Sequence, residues 1–377
     1  MREQGITTIT LKKINKEKVY QYIYKQKQTS KQQIVQELNM GLSTVSQNLT
    51  ALEREGLINR DGYFESTGGR KAQIIQVVAD FKIAIGVGIL KNMFHIVAVD
   101  LYGEVVAKEI VSLDYNDTDE YYTKVTGDIE KFIEKNNYKS GQISGVSIAT
   151  QGIISPDGKS VTYGKIMDNS DMKLSDFSDK LPYVCRLEHD SKAAADLELW
   201  NHPKLDSAVV FLLNRNLGGA IITNRSVHQG AGMHSGSLEH MCINHDGPLC
   251  YCGNRGCLET YCSTNSLEEA AGISIKEFFH EMREKNNNIF KQIWEDYLKH
   301  LAYAIKNLNM VIDSPVIISG YLAPYFIEKD IDFMCENINA ATPFPMSREN
   351  IMVGMHGQFT PAIGAALYYV NSFITAQ

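Results

Sequence analysis

The sequence predicts a mixed α/β body of two related lobes, preceded by a small, mainly α-helical head. Three observations carry this reading. The first 75 residues hold helical periodicities closed by one short alternating stretch. From Lys82 onward, strand-like runs come first as a meander and then alternate with helical patterns, the order of a mixed α/β domain. A second passage of the same kind, "SAVVFLLN" followed by "GGAIITN", begins at Ser207 and points to a second lobe. At 377 residues the chain has room for two or three domains with substantial cores.

The head comes first. Val19, Tyr22 and Ile23 recur at helical spacing after Asn15, and Thr29-Ser30 offers a cap for a second helix over Lys31 to Leu38. "NMG" breaks that helix. "LSTVSQNLTALEREG" then restarts the pattern, with Ser43 expected as N-cap, Val45, Leu49 and Leu52 on one face, and Gly56 as terminator. "LINRDGYFES" alternates around an expected Asp61-Gly62 hairpin turn, and "TGGRK" supplies a basic tip. Helix, turn, helix and wing predict a winged helix-turn-helix. The third helix presents Ser43, Thr44, Ser46, Gln47 and Asn48, short polar groups able to reach base edges. Arg70, raised on two glycines, suits the minor groove, and Lys31 and Lys71 suit phosphates. Charge agrees: residues 1–75 hold 12 Lys and Arg against 7 Asp and Glu, in a chain of net charge −7. A polyanion would therefore meet the N-terminus.

The body opens with three strand-like runs, "KIAIGVGIL", "FHIVAVDLYG" and "EVVAKEI", followed by helical patterning and the strand "ISGVSIA". No apolar run approaches the roughly 18 residues of a membrane span and no secretory leader pattern opens the chain, so a cytoplasmic protein is expected. Seven cysteines, an odd number with Cys185 and Cys335 isolated, fit a reducing compartment better than a disulfide framework. Three of them crowd into "CYCGNRGCLE" at 250–259. Clustered thiols in such a compartment suggest a metal.

"GSLEHM" at 236–241, read with Cys250, Cys252 and Cys257, resembles the zinc motif of the ROK family (Repressor, ORF, Kinase). "LEHDSKAAADLE" resembles that family's sugar-contacting segment and "TPAIGAAL" its C-terminal helix. The resemblance covers essentially the whole chain, because a winged-helix head before a ROK body is the arrangement of the family's xylose-type and N-acetylglucosamine-type repressors. It implies an actin-like (ribonuclease H-like) body of two lobes. The expected division is a head over 1–76 and a sugar-sensing body over 77–377. Lobe one would span about 80–190 with the C-terminal helix 358–375, and lobe two about 191–357.

His240, Cys250, Cys252 and Cys257 make a Cys₃His set that fills a zinc tetrahedron, so one structural Zn²⁺ per chain is expected, with Gly253 and Gly256 permitting the tight loop. Cys242 and Cys262 fall off the motif and read as buried small hydrophobes. An imidazole can ligate through one nitrogen and donate through the other. The resemblance implies that His240 and Glu259 touch a sugar, and that Asp190 matches the general base of the family's kinases.

The chain departs from those kinases. Their Asp-x-Gly-Gly-Thr phosphate loop reads "GILKN", with Gly88 at the Asp position and Asn92 at the Thr position, and a second glycine-rich segment reads "NRNLGGAI", with Arg215 and Asn216 intruding. Phosphoryl transfer depends on positioning and charge neutralisation, so Asp190 is left as a ligand contact. His189 and Ser237 replace the family's Asn and Glu and become candidate ligand readers. The expected protein is not an enzyme but a sugar-responsive repressor, a homodimer or dimer of dimers on operator DNA. The competing expectations are an ATP-dependent sugar kinase with an accessory head, and an effector-blind scaffold.

Overall fold

The computed structural model describes residues 8–65 and 71–377. Helix α1 (Thr8–Gln26) is followed by α2 (Lys31–Glu37) and α3 (Leu42–Arg54). Ser30 caps α2 in a reciprocal box with Gln33, an arrangement worth about 1 kcal/mol. The cap of α3 is Gly41, not Ser43: Gly41 takes the extended cap conformation and Val45 N–H bonds its carbonyl at 3.0 Å. Ser43 therefore lies inside the first turn. Gly56, at φ +77°, ends the helix in the left-handed region where a side chain would be strained.

The wing departs from the expected turn. Ile58 pairs with Val77, Asn59 with Gln76, and Tyr63 bridges Gln73, so Asp61-Gly62 sits within the first arm of the hairpin and not at its tip. Gly62, at φ +77°, bends that arm. The short strand Gln28–Thr29 pairs with Ile75–Val77 and completes a three-stranded sheet. Three helices and this sheet form a winged helix-turn-helix.

The body holds two five-stranded sheets of one design. In the first, Ile83–Ile89, Met93–Val99 and Val105–Ser112 form an antiparallel meander, and Ile143–Thr150 and Cys185–His189 then add parallel to its first strand. In the second, Ala208–Leu213, Leu217–Thr223 and Ser226–Val227 form the meander, with Val316–Ser319 and Ile351–Val353 added in the same way. Numbering the strands of each sheet in chain order, both read 3-2-1-4-5. The two related lobes predicted from Ser207 onward are thus two copies of one topology.

Each lobe sends a helix to the other. Asp190–Asn201 leaves the last strand of the first sheet and packs on Ala208–Leu213 and Leu217–Thr223 of the second. Thr360–Ala376 leaves the second and packs on Ile83–Ile89, Met93–Val99 and Ile143–Thr150 of the first. The two helices cross in close contact where Gly364 meets Ala193, since a Cβ on Gly364 would stand 1.7 Å from the Ala193 carbonyl oxygen.

The head does not hang from a free tether. Val19, Tyr20, Ile23, Leu49 and Leu52 share one buried cluster with Val97 and Val99 of lobe one and with Ile363, Tyr369 and Ile374 of the C-terminal helix. The Tyr24 hydroxyl donates to the Leu101 carbonyl at 2.7 Å, its ring stacks on Tyr102 at 5.0 Å, and Gln21 donates to the Ile374 carbonyl.

Candidate functional site

A pocket opens between the lobes, at the carboxyl ends of the parallel strands Ile143–Thr150 and Cys185–His189, where open α/β sheets place ligands. Lobe one contributes Gln151, Tyr163, Lys165, His189 and Asp190, and lobe two contributes Ser237, Glu239, His240 and Tyr251. Four of the five residues expected at a sugar, His189, Asp190, Ser237 and His240, therefore line one cavity.

The fifth, Glu259, does not reach the cavity wall. It is buried behind the wall, accepting from Asn216 Nδ2 and from the Leu217 amide, each at 2.7 Å. It follows directly on the cysteine loop, but both carboxylate oxygens are committed to lobe two. Leu217, whose amide donates to it, does line the cavity. Burial lifts the Glu259 carboxyl to about 7.

Asp190 opens its helix, where an acid is favoured by the helix dipole. Its Oδ1 accepts from the Ser191 amide at 2.6 Å and the Ser191 hydroxyl at 3.1 Å. His189 Nε2 stands 3.7 Å from the same oxygen. Burial raises the Asp190 carboxyl and lowers the His189 imidazole, whose buried Nδ1 has no partner.

Glu239 carried no expectation although it lies within the quoted "GSLEHM". It enters the wall because a 3₁₀ turn, Leu238–His240, packs against Gly219, where any Cβ would meet Leu238 at 2.4 Å. Its Oε1 is 3.9 Å from His240 Nε2, and its Oε2 is buried without a partner. Burial first, and the Asp190 and Glu259 charges after it, push its carboxyl up to about 8. Tyr163 and Lys165 were missed because no local signal marks them. They arrive on the hairpin of Ile153–Ile154 and Val161–Tyr163, folded over the strand ends.

The metal-ligand candidates come together. The donor atoms of His240, Cys250, Cys252 and Cys257 all lie within 4.8 Å of one another, a group able to hold a metal ion. Cys252 Sγ is 3.7 Å from Cys257 Sγ and Cys250 Sγ is 3.9 Å from His240 Nδ1. Tetrahedral bonds of about 2.3 Å require edges of about 3.8 Å, whereas a disulfide requires about 2.05 Å, so the separations fit metal ligation. Nδ1 of His240 faces the thiols and Nε2 faces the cavity side, 3.5 Å from the Tyr251 hydroxyl. Gly256, at φ +69°, leaves room for the Asn244 carbonyl oxygen, which a Cβ would meet at 1.5 Å. Cys262 is buried as expected, but Cys242 is exposed.

In the head, Ser43 and Gln47 are exposed on α3 and Thr44 is half-buried. Ser46 is half-buried and turns back to the Leu42 carbonyl at 2.7 Å. Asn48 is a correction: it is 9% exposed, because three residues after Val45 and four before Leu52 it falls on the inward face. Lys31 and Lys71 flank one groove between α2 and the wing, together with Arg60 and Tyr63, neither of which was singled out. Tyr63 is exposed, and Arg60 pairs with Glu53 at 3.0 Å. Arg70 lies outside the described residues.

At the turn between Ile83–Ile89 and Met93–Val99, Leu90 N–H bonds the Met93 carbonyl in a tight hairpin that bears no carboxylate. The neighbouring cavity, about 140 Å³, is walled by Leu90, Met93, His95, Asn214, Arg215, Tyr321 and Gln358. Among the described residues, no helix is long and apolar enough to cross a membrane.

These features define a class: a two-lobed, actin-like body with a ligand pocket between its lobes and a thiol-rich clip on the pocket wall, carrying a winged head. Residues 82–371 match the ROK family, and the chain belongs to it. It is 24% identical to the xylose repressor of Caldicellulosiruptor bescii, over 87% of this chain and 88% of that protein. It is 23% identical to the DNA-binding transcriptional dual regulator NagC of Escherichia coli, over 82% and 81%. The fold matches a ROK family transcriptional regulator, a homologue of the E. coli MLC protein, with TM-score 0.71 and 18% identity over 97% of this chain and 98% of that one. A ROK glucokinase from Streptomyces griseus matches with TM-score 0.63 and 18% identity over 76% of this chain and 98% of that one.

Proposed function

We propose that this chain is a DNA-binding transcriptional repressor of carbohydrate-metabolism genes, whose operator affinity is set by a sugar bound between the lobes. The observation that carries the proposal is the continuity between pocket and head. Asp190 begins one crossing helix, that helix packs on the C-terminal helix, and the C-terminal helix shares a core with α1. A ligand that favours one lobe arrangement over another thereby changes where the head stands. Two heads on a dimer would meet half-sites about one helical turn or a multiple apart, on a pseudo-palindromic operator. Such work belongs in the cytoplasm.

In this reading Gln47 and Ser43 face base edges, and Lys31 and Lys71 face phosphates. Asp190 accepts from sugar hydroxyls, and His189 and Ser237 read the ligand beside it. His240 would hold Zn²⁺ through Nδ1 with Cys250, Cys252 and Cys257, leaving Nε2–H to donate towards the cavity. Zn²⁺ there would supply folding energy to the loop that bears Tyr251 and anchors Glu259, with no open coordination position. Phosphoryl transfer is not part of this reading, because Gly88 and Asn92 leave Mg-ATP without a handle.

The test is an operator titration with and without each member of a sugar panel, Asp190→Ala alongside. The right sugar should weaken operator binding, and the variant should need roughly ten- to a hundredfold more of it while keeping its sugar-free DNA affinity. Sugar binding with unchanged DNA affinity would refute the coupling, and tightened binding would make the sugar a corepressor. ADP release from Mg-ATP in the same panel would establish a kinase instead.

A further inference from the structure

Lys31, Arg60 and Lys71 crowd one groove between α2 and the wing, about 300 Å³ in volume, whose lining also takes in the exposed Tyr63 and the buried Ser30 and Ile75. Three like charges in one groove repel one another. Among the described residues no carboxylate lines that groove, and of the three cations Arg60 alone has an ion-pair partner, Glu53 at 3.0 Å. Glu53 lies outside the groove, in the last turn of α3, where the helix dipole disfavours an acid. Its side chain is 44% exposed, so solvent screens the pair and the fold gains little from it.

A weak, screened partner is one that a better anion can displace. A DNA backbone phosphate is such an anion, because it offers several acceptor oxygens to a guanidinium and releases condensed counterions as each cation engages. Arg60 is also the link between the groove and α3, the helix that presents Gln47 and Ser43.

We infer that Arg60 leaves Glu53 for a DNA phosphate seated in this groove beside Lys31 and Lys71, and that Glu53, by holding Arg60 in the free protein, restrains the affinity of the head for DNA of any sequence. The inference rests on the DNA-binding reading above and adds to it one phosphate contact and a competitor for that contact. Phosphate contacts carry no base information, so the restraint acts on operator and other DNA alike.

The experiment is a titration of the full chain with a mixed-sequence duplex and with an operator selected from a random library, each over a series of salt concentrations. Arg60→Ala should weaken both duplexes and make the log–log dependence of affinity on salt shallower by about one per head, with base preference kept. Glu53→Gln should tighten both by roughly two- to tenfold at low salt, a gain that misfolding cannot produce. In the Arg60→Ala background the same Glu53→Gln change should do little, since Glu53 acts through Arg60. Equal tightening with and without Arg60 would reduce Glu53 to general repulsion and overturn the exchange. An unchanged salt slope in Arg60→Ala, or an unchanged affinity in Glu53→Gln, would overturn it while DNA binding by the parent stands. A shifted base preference in Arg60→Ala would make Arg60 a base reader and overturn its phosphate role. A parent chain that binds neither duplex at any salt would overturn this inference and the DNA-binding reading together.

Discussion

Single side chains here are set by what burial does to their charge. His95 is 2% exposed, and burial depresses its imidazole to about 4 from an ordinary value near 6.5. Between those values the unfolded chain binds the proton and the folded chain does not, so stability falls as pH falls from about 6.5 to 4, by an amount on the order of 3 kcal/mol. Glu239 and Glu259 act in the opposite sense: raised to about 8 and about 7, they favour the fold at low pH and oppose it as pH rises through those values. His95→Gln should therefore show a flatter loss of urea midpoint than the parent between pH 6.5 and 4. Parallel curves for the two proteins would show that His95 is not buried neutral. At this scale the sequence was legible where a residue type has one use. Three cysteines and a histidine at that spacing have few destinations, and they converge. Glu259 and Glu239 could not be told apart in sequence, because which acid faces the pocket depends on how the turn at Leu238–His240 seats against Gly219.

Among the elements, close approach at glycine decides more than propensity does. The crossing helices touch backbone to side-chain-free backbone, and Gly364→Ala would drive a Cβ into the Ala193 carbonyl, where no flexible side chain can yield. Overpacking of this kind costs about 1–3 kcal/mol or more, so that variant should lose a corresponding part of its denaturant midpoint. An unchanged midpoint would mean the helices separate freely. The proposed zinc clip is the second such element: Cys252→Ser should abolish zinc binding and lower the melting temperature, and a chelator should do the same to the parent. Zinc absent from protein purified without chelator would remove this argument. On α3 the two polar neighbours separate cleanly, since Gln47→Ala should relax base preference at fixed stability, whereas Asn48→Ala should cost stability with base preference kept. The first four strands of lobe one and the first two of lobe two were readable from alternation, whereas the strands that complete each sheet, such as Cys185–His189 and Val316–Ser319, were not singled out. The cap of α3 and the wing turn were not, because Ser43 and Asp61-Gly62 are sound local signals overruled by sheet register and by a glycine that also serves as a cap.

Across the whole molecule, the question is how a pocket between lobes reaches a head that touches only one of them. The head sits on lobe one and on the end of the C-terminal helix, and that helix originates from lobe two. Rotation of lobe two against lobe one therefore bears on the C-terminal helix, which α1 bonds at Gln21, while Tyr24 holds α1 to lobe one at Leu101. No part of this circuit was visible in sequence, where residues 21 and 374 are merely the two ends of the chain. The circuit makes a prediction distinct from any at the pocket. Gln21→Ala combined with Tyr24→Phe removes both hydrogen bonds while keeping the stack of residue 24 on Tyr102, so the head should stay folded and bind operator within a few-fold of the parent. Sugar affinity, measured separately by calorimetry, should be unchanged. The factor by which sugar weakens operator binding, ordinarily about 5- to 150-fold for a coupled pair of sites, should shrink towards unity. If the double variant keeps the full sugar response, the signal travels through contacts between protomers and not through the C-terminal helix.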